Sequence, residues 1–116
     1  MARKTERPHK ILNLKQAVAD CVNSGRYRFS KHALERQDER RITLPEVRDV
    51  LLTGRHDARF DEFEEGYQTW KYRIQGKTSF EGPEHRTREL RIVIRFEPEE
   101  MMLIITVMES GLPEGK

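Results

Sequence analysis

Apolar residues near the start of the chain recur with the period of an α-helix. They occupy positions i, i+3, i+4, i+7 and i+8 and are Leu14, Ala17, Val18, Cys21 and Val22. Such spacing places one apolar stripe on a helix that packs against a core. Asn13 before this stripe and Gly25 after it are residues that favour helix caps. The pattern therefore predicts a first helix between Asn13 and Gly25.

A second helix is predicted after a short extended link, residues 26–29. Ser30 is a favoured N-cap residue, and the helix runs from there to about Arg41. Its apolar face is thin and consists mainly of Ala33 and Leu34.

The third predicted helix has the clearest boundaries. Thr43 and Glu46 have the spacing of a capping box, and Pro45 lies in the first turn, where its missing N–H costs little. The apolar residues expected to face the core are Val47, Val50 and Leu51. Gly54 ends this helix.

After Gly54 the apolar period changes to two, which predicts strands. The segments are YQTWKYRI (67–74), ELRIVIRF (89–96) and MMLIITVM (101–108), and a strand around residues 59–63 pairs with the first across a turn at 64–66. The last segment is apolar on both faces, which is typical of a central strand. The strand residues expected to be buried include Trp70, Leu90, Ile92, Ile94 and Ile105.

Residues 75–88 have no apolar period and are predicted to form an exposed, mobile loop. The order of elements predicts an α+β fold in which three N-terminal helices pack on a four-stranded antiparallel sheet. With 116 residues the chain is expected to form one domain. We predict a basic flexible tail at 1–12, the domain at 13–110 and a C-terminal tail at 111–116.

Composition disfavours several classes of protein. Charged residues make up 36% of the chain and apolar residues 35%, so the core must come from the few patterned segments. No stretch approaches the ~18 apolar residues of a membrane span, and no signal peptide is expected. The single cysteine, Cys21, cannot form an internal disulfide and fits a reducing compartment. We expect a cytoplasmic protein that does not enter a membrane.

Charge is distributed unevenly along the chain. Residues 1–59 contain 14 Lys and Arg against 8 Asp and Glu, a net charge of +6, whereas residues 60–116 contain 8 against 12, a net charge of −4. The basic first half favours an acidic partner, either a nucleic acid or an acidic protein. We expect it to bind polyanions weakly and with an affinity that falls as salt rises.

The second predicted helix belongs to a distinctive string of residues. These stand at fixed offsets and are Phe29, Ser30, His32, Ala33, Arg36, Arg40, Ile42 and Thr43. Over residues 27–108 the chain resembles an uncharacterised bacterial family marked by a His-Ala-x-x-Arg helix. In its order of elements that family is similar to the RelE-like and motility quorum-sensing regulator toxins of type II toxin–antitoxin systems, which are metal-independent ribonucleases. By analogy of fold alone, the resemblance implies an RNA target and a small antitoxin partner.

Metal-independent cleavage of RNA has definite chemical requirements. A base takes the 2′-OH proton, an acid protonates the leaving 5′-oxygen, and cations stabilise the charge that develops on the phosphate. His32 is the candidate acid or base, since histidine ordinarily titrates near neutrality. Arg36, one turn later, can hold a phosphate through two hydrogen bonds, and Arg40 follows a further turn on. The sequence has no Cys/His cluster or phosphate-binding glycine loop, so no metal or cofactor is predicted.

A second basic set is predicted on the sheet. Lys71 and Arg73 share a strand face with Tyr67, and Arg91 and Arg95 lie on the outward face of the next strand. Together these residues would form a basic surface that binds RNA, with an aromatic ring on which a base can stack.

Structural roles compete with each of these functional interpretations. His32 could bond to backbone or to a neighbouring carboxylate, and Arg36 and Arg40 alternate with three acidic residues, as on a solvated, ion-paired helix. The cations of the sheet could serve solubility alone. Two hypotheses therefore remain open: a toxin-like ribonuclease, and a non-catalytic module that binds a protein or RNA on the same scaffold.

Overall fold

The computed structural model describes residues 7–110, which form an α+β fold, as predicted. The helices are α1 (Leu14–Ser24), α2 (Lys31–Arg40) and α3 (Leu44–Thr53). The strands are β1 (Tyr27–Phe29), β2 (Arg55–His56), β3 (Glu62–Glu64), β4 (Thr69–Lys77), β5 (Glu89–Glu97) and β6 (Met101–Glu109). None of the helices formed by the described residues is long and apolar enough to cross a membrane.

Each helix begins at the cap that the sequence indicated. The side chains of Asn13, Ser30 and Thr43 accept hydrogen bonds from backbone N–H groups in the first turns of α1, α2 and α3. In α3 the Glu46 carboxylate in turn accepts a hydrogen bond from the N–H of Thr43, which completes the capping box. These side chains satisfy N–H groups that lack a partner within the helix, and they therefore fix where each helix starts.

The sheet is larger than predicted, and it is mixed rather than antiparallel. Its strand order is β1-β6-β5-β4-β2, and β3 also pairs with β4. Strands β4, β5 and β6 are antiparallel neighbours, but β1 runs parallel to β6. The prediction of four antiparallel strands was wrong because β1 and β2, with three and two residues, are too short to display an alternating pattern. Because β1 lies between α1 and α2 in the chain, the three helices do not all precede the first strand.

The strand predicted around residues 59–63 lies slightly further along the chain. Ala58–Phe60 forms a 3-10 turn, and β3 follows it and pairs with the start of β4. The turn between β3 and β4 covers residues 65–68, slightly later than the predicted 64–66, and the N–H of Tyr67 donates to the carbonyl of Glu64. Tyr67, predicted to share a strand face with Lys71 and Arg73, therefore belongs to this turn and not to β4.

One hydrophobic core joins all three helices to a single face of the sheet. Its fully buried members include Val18, Val22, Ala33, Val47, Val50, Ile74, Leu90, Ile92, Ile94 and Ile104. The predicted burial of Leu90, Ile92 and Ile94 is confirmed. Trp70 and Ile105, also predicted to be buried, are only partly buried. Ile105 has no cross-strand partner because a β-bulge shifts the register of β5 and β6 there.

Residues 75–88 are not one exposed loop, so that prediction was wrong in part. Strand β4 continues to Lys77, and both Thr78 and Arg88 are buried. The N–H of Thr78 donates to the carbonyl of Arg88, and the N–H of Arg88 donates to the Thr78 hydroxyl. The ends of the segment thus extend the β4–β5 ladder, and the exposed part lies between them.

Residues 7–11, which the sequence placed in the N-terminal tail, contact the sheet. The N–H of Ile11 donates to the hydroxyl of Tyr72 at 3.0 Å, and the indole N–H of Trp70 donates to the carbonyl of Pro8 at 2.9 Å. Lys10 lies 4.7 Å from the centre of the Trp70 ring, which adds a cation–π contact.

Candidate nucleic-acid interface

The sheet has one face on which no helix packs, and we call it the open face. Side chains of β4, β5 and β6 alternate between the core and this face. The open-face residues include Lys71, Arg73, Gln75, Arg91, Val93, Arg95, Leu103, Thr106 and Met108. All four cations that the sequence assigned to an outward basic surface lie here.

The cross-strand register decides which of these cations are neighbours. Lys71 lies directly opposite Arg95. Arg91 of β5 lies opposite Gln75 of β4. Arg73 precedes Gln75 by two residues on β4, so Arg73 and Arg91 are diagonal neighbours. Long side chains reach one another at both kinds of separation. The open face therefore holds two pairs of neighbouring cations.

Glutamates neutralise the first pair, Lys71 and Arg95. Lys71 Nζ lies 3.2 Å from the carboxylate of Glu62 and 3.6 Å from that of Glu64. Arg95 is buried, and its guanidinium lies 2.7 Å from Glu64 and 3.4 Å from Glu97. Burial opposes the charge on Arg95, but its bonds to Glu64 and Glu97 outweigh that cost and raise its pKa above the usual value. Little of the charge of this pair is left for a ligand.

The second pair, Arg73 and Arg91, forms no ion pair within residues 7–110, and the Nε–H of each is buried without an acceptor. Asp57 lies close enough to favour the charge on Arg73. Its two carboxylate oxygens, however, accept hydrogen bonds from Nε and Nη2 of Arg59 at 3.1 and 3.3 Å. Burial, and then repulsion from Arg91, lower the pKa of Arg73 below its usual value. This pair therefore keeps both its charge and unused hydrogen-bond donors.

Two aromatic rings stack on guanidiniums of the open face. The centre of the Phe60 ring lies 3.6 Å from the guanidinium carbon of Arg73, and that of Tyr67 lies 3.7 Å from the guanidinium carbon of Arg95. Such contacts orient a planar guanidinium. Phe60 is 48% exposed and Tyr67 is 65% exposed, so much of each ring remains open to a ligand. The sequence pointed to Tyr67 but not to Phe60, whose turn conformation was missed.

The two candidate catalytic residues lie elsewhere. Helix α2 packs beside β6 and β1, whereas Lys71 and Arg73 belong to β4, beyond β5 in the sheet. His32 is exposed and has no hydrogen-bond partner among the described residues. Arg36 Nη1 lies 3.4 Å from the Glu39 carboxylate. The structure does not bring His32 and Arg36 together with Lys71 or Arg73.

The cavity beside α2 has a volume of about 490 Å³ and a mixed lining. The lining residues are Leu34, Gln37, Asp38, Arg41, Ile42, Thr43 and Pro83, which do not include His32 or Arg36. Leu34 is 54% exposed. An exposed leucine beside a cavity suits an apolar side chain of a protein partner better than a phosphate.

A buried ion pair that the sequence analysis missed holds the end of α2. Nε and Nη2 of Arg88 donate to the two carboxylate oxygens of Glu46 at 3.0 and 2.9 Å. The same guanidinium donates to the carbonyls of Arg40 and Arg41 at 3.0 and 2.6 Å. Burial disfavours the charge on Glu46, but the bonds from Arg88 and Thr43 outweigh it and lower the pKa of Glu46. Arg40, a predicted phosphate-binding residue, is exposed at the end of α2, and its backbone belongs to this network.

The sequence does contain an indication of Arg88. If the alternation of Leu90, Ile92 and Ile94 is continued two residues back, Arg88 falls on the core face. A charged residue at such a position requires a partner, because arginine is rarely buried unless it is paired. Residues 75–88 as a whole have no apolar period and therefore predict a loop, which conceals the strand position of Arg88.

A second buried carboxylate lies at the β2 edge of the sheet. His56 Nε2 lies 2.8 Å from Oδ1 of Asp61, and Lys10 Nζ lies 3.1 Å from Oδ2. The His56 ring also packs edge-on against Tyr72. His56, for which no role was predicted, thus helps to hold the N-terminal segment against the sheet through Asp61.

Comparison with protein families matches residues 29–109 to the family described as Domain of unknown function (DUF4258). The chain belongs to the DUF4258 family. The matched range contains α2, α3 and strands β2 to β6, and with them Lys71, Arg73, Arg91 and Arg95 of the open face. A family of unknown function is what the resemblance implied, whereas the likeness to RelE-like toxins stays a prediction. No curated protein and no solved structure matches the chain.

Proposed function

We propose that this DUF4258 protein binds single-stranded RNA on the open face of its sheet. The observation that carries the proposal is the pair Arg73 and Arg91, neighbouring cations that have no carboxylate partner within residues 7–110. Partly buried charges without partners are costly in a folded protein, and such perturbed groups concentrate at functional sites. A phosphate supplies both the negative charge and the acceptors that the two guanidiniums lack.

The aromatic rings of the open face favour RNA over an acidic protein. Phe60 and Tyr67 stack on cations and remain largely exposed. Bases of single-stranded RNA have free faces that stack on aromatic rings while the backbone follows nearby cations. An acidic peptide would use the cations alone.

Filter retention of a labelled single-stranded RNA tests the proposal. We expect the wild-type protein to bind at low salt and to lose affinity as salt rises, with a slope of about 0.7 log units per phosphate contact. The variant Arg73→Gln/Arg91→Gln should bind roughly tenfold or more weakly, since hydrogen bonds to charged groups are worth about 1.5–3 kcal/mol each.

The matched control is Lys31→Gln/Arg48→Gln, which removes the same charge from two exposed helix positions. We expect this control to retain most of the affinity. Absence of RNA retention by the wild-type protein at low salt, or an equal loss in both double variants, would contradict the proposal.

A second candidate function is cleavage of RNA without a metal, as a toxin of a toxin–antitoxin system. It is favoured by the exposure of His32 and the absence of a hydrogen-bond partner for it among the described residues, since an acid or base must meet its substrate. Arg36 follows one turn later, and the cavity beside α2 would suit a small antitoxin. Growth after inducible expression in a bacterium tests this function: arrest that His32→Ala abolishes would support cleavage, and normal growth with intact RNA would oppose it.

A further inference from the structure

We infer that Arg73 and Arg91 select the terminal phosphate of an RNA, a phosphomonoester, over the phosphodiesters within the strand. The inference rests on the proposed function and adds to it the chemical group that the site prefers. Arg73 and Arg91 are diagonal cross-strand neighbours close enough to repel each other, and no described residue forms an ion pair with either. A phosphodiester carries one negative charge, whereas a phosphomonoester carries close to two at pH 7. A single phosphodiester therefore leaves one of the two cations unbalanced, whereas a single monoester balances both.

Hydrogen bonding points to the same group. A terminal phosphate has three strong acceptor oxygens, more than a phosphodiester offers outside its ester links. Arg73 and Arg91 have hydrogen-bond donors without partners, since the Nε–H of neither residue has an acceptor within the described residues. Burial and repulsion between the two guanidiniums also weaken the charged form of Arg73. An acceptor-rich dianion between them relieves both the repulsion and the missing hydrogen bonds.

The neighbouring cations of the open face provide an internal comparison. Lys71 and Arg95 also lie side by side, yet Glu62, Glu64 and Glu97 neutralise them. Of the two pairs of cations on the open face, the Arg73–Arg91 pair is thus the one without carboxylate partners among the described residues.

Phe60 directs the inference to a nucleotide rather than to a phosphoserine peptide. Its ring covers the guanidinium of Arg73 at 3.6 Å and remains about half exposed. The base of a terminal nucleotide can stack on that ring while its phosphate lies between the guanidiniums. A phosphoserine side chain carries no ring to stack there.

The test compares one short RNA in three forms, with a 5′-phosphate, with a 3′-phosphate and with hydroxyls at both ends. At pH 7.5 we expect at least one phosphorylated form to bind about tenfold more tightly than the hydroxyl form. The preference should shrink at pH 5, because the second pKa of a phosphomonoester is about 6 and the monoanion then predominates. Arg73→Gln and Arg91→Gln should each abolish it, whereas Arg48→Gln, an exposed substitution on α3, should keep it.

Each outcome has a distinct meaning. Equal affinity for all three forms would overturn the inference and leave RNA binding on the open face intact. Competition by inorganic phosphate as effective as that by the phosphorylated RNA would overturn the assignment of the ligand to RNA. Tighter binding of a phosphoserine peptide would overturn it in favour of a protein partner. Failure of every form to bind would contradict the proposed function as well.

Discussion

Arg88 and Glu46 form the ion pair on which the junction of α2, α3 and β5 depends. Both side chains are buried, and the guanidinium also holds the carbonyls of Arg40 and Arg41. Removing two charges from water is costly, so such a pair is sustained only while its partners and hydrogen bonds are all present. Loss of one partner leaves the other as an uncompensated buried charge.

Arg88→Ala should lower the free energy of unfolding by about 3–5 kcal/mol, the usual effect of breaking a buried pair. Urea unfolding followed by circular dichroism measures it. Arg48→Ala is the control, because Arg48 is exposed on α3 and forms no ion pair with any residue of the described range 7–110. We expect a much smaller loss there. Equal losses in the two variants would contradict the structural role of Arg88.

Acid should weaken the fold through the same pair. The pKa of folded Glu46 lies below the ordinary value of 4.5 because the bonds from Arg88 and Thr43 outweigh the effect of burial. A carboxyl group with a depressed folded pKa stabilises the protein above its unfolded pKa, and this stability is lost as pH falls through the folded pKa. The free energy of unfolding should therefore decline below about pH 4.5.

The variant Glu46→Gln isolates this contribution. It should be less stable than wild type at neutral pH, yet lose less stability on acidification, since it has no carboxyl group to protonate. Glu35→Gln, at an exposed position of α2, should keep the wild-type pH dependence. An unchanged pH dependence in Glu46→Gln would show that other groups cause acid unfolding.

At the scale of elements, α3 and β4 meet at two glycines. A Cβ atom on Gly76 would lie 2.8 Å from the Cα of Gly54, and one on Gly54 would lie 2.6 Å from the carbonyl oxygen of Val50. These neighbours are backbone atoms and cannot move aside as a side chain does. The two glycines therefore set how closely the end of α3 lies against the sheet.

Gly76→Ala should force α3 and β4 apart and destabilise the protein by about 1–3 kcal/mol, as overpacking does. The control is Gly66→Ala in the turn between β3 and β4, where an added Cβ has no heavy atom within 4 Å. Thermal unfolding should give a lower Tm for Gly76→Ala and a Tm near wild type for Gly66→Ala. Similar Tm values for both would contradict the close contact.

The helices were predictable because their determinants are local. Asn13, Ser30 and Thr43 act on N–H groups within one turn of themselves, and that spacing is visible in the sequence. Strand β1 was not predictable, because its three residues pair with β6 at the far end of the chain. The buried position of Thr78 was not predictable for the same reason, since Thr78 pairs with Arg88 only once β4 and β5 have met. The buried position of Arg88, by contrast, follows from the alternation of β5 when that is continued two residues back.

At the scale of the whole molecule, sequence alternation placed Lys71, Arg73, Arg91 and Arg95 on one face. The alternation does not show which of these cations form ion pairs in the folded protein. The carboxylates that pair with Lys71 and Arg95 come partly from β3, a separate strand. The two cations left unpaired belong to the half of the chain with a net negative charge, not to the basic half. The distance in the sheet between α2 and β4 depends on the strand order, which local patterns do not contain.

The most direct test of where RNA binds is an NMR titration of the protein with single-stranded RNA at low salt. Binding on the open face predicts the largest chemical-shift changes in the backbone amides of residues 71–75 and 91–95 and in the Nε–H groups of Arg73 and Arg91. The amides of α2 should change little. Shift changes confined to α2 around His32 and Arg36, with none in β4 and β5, would contradict the account.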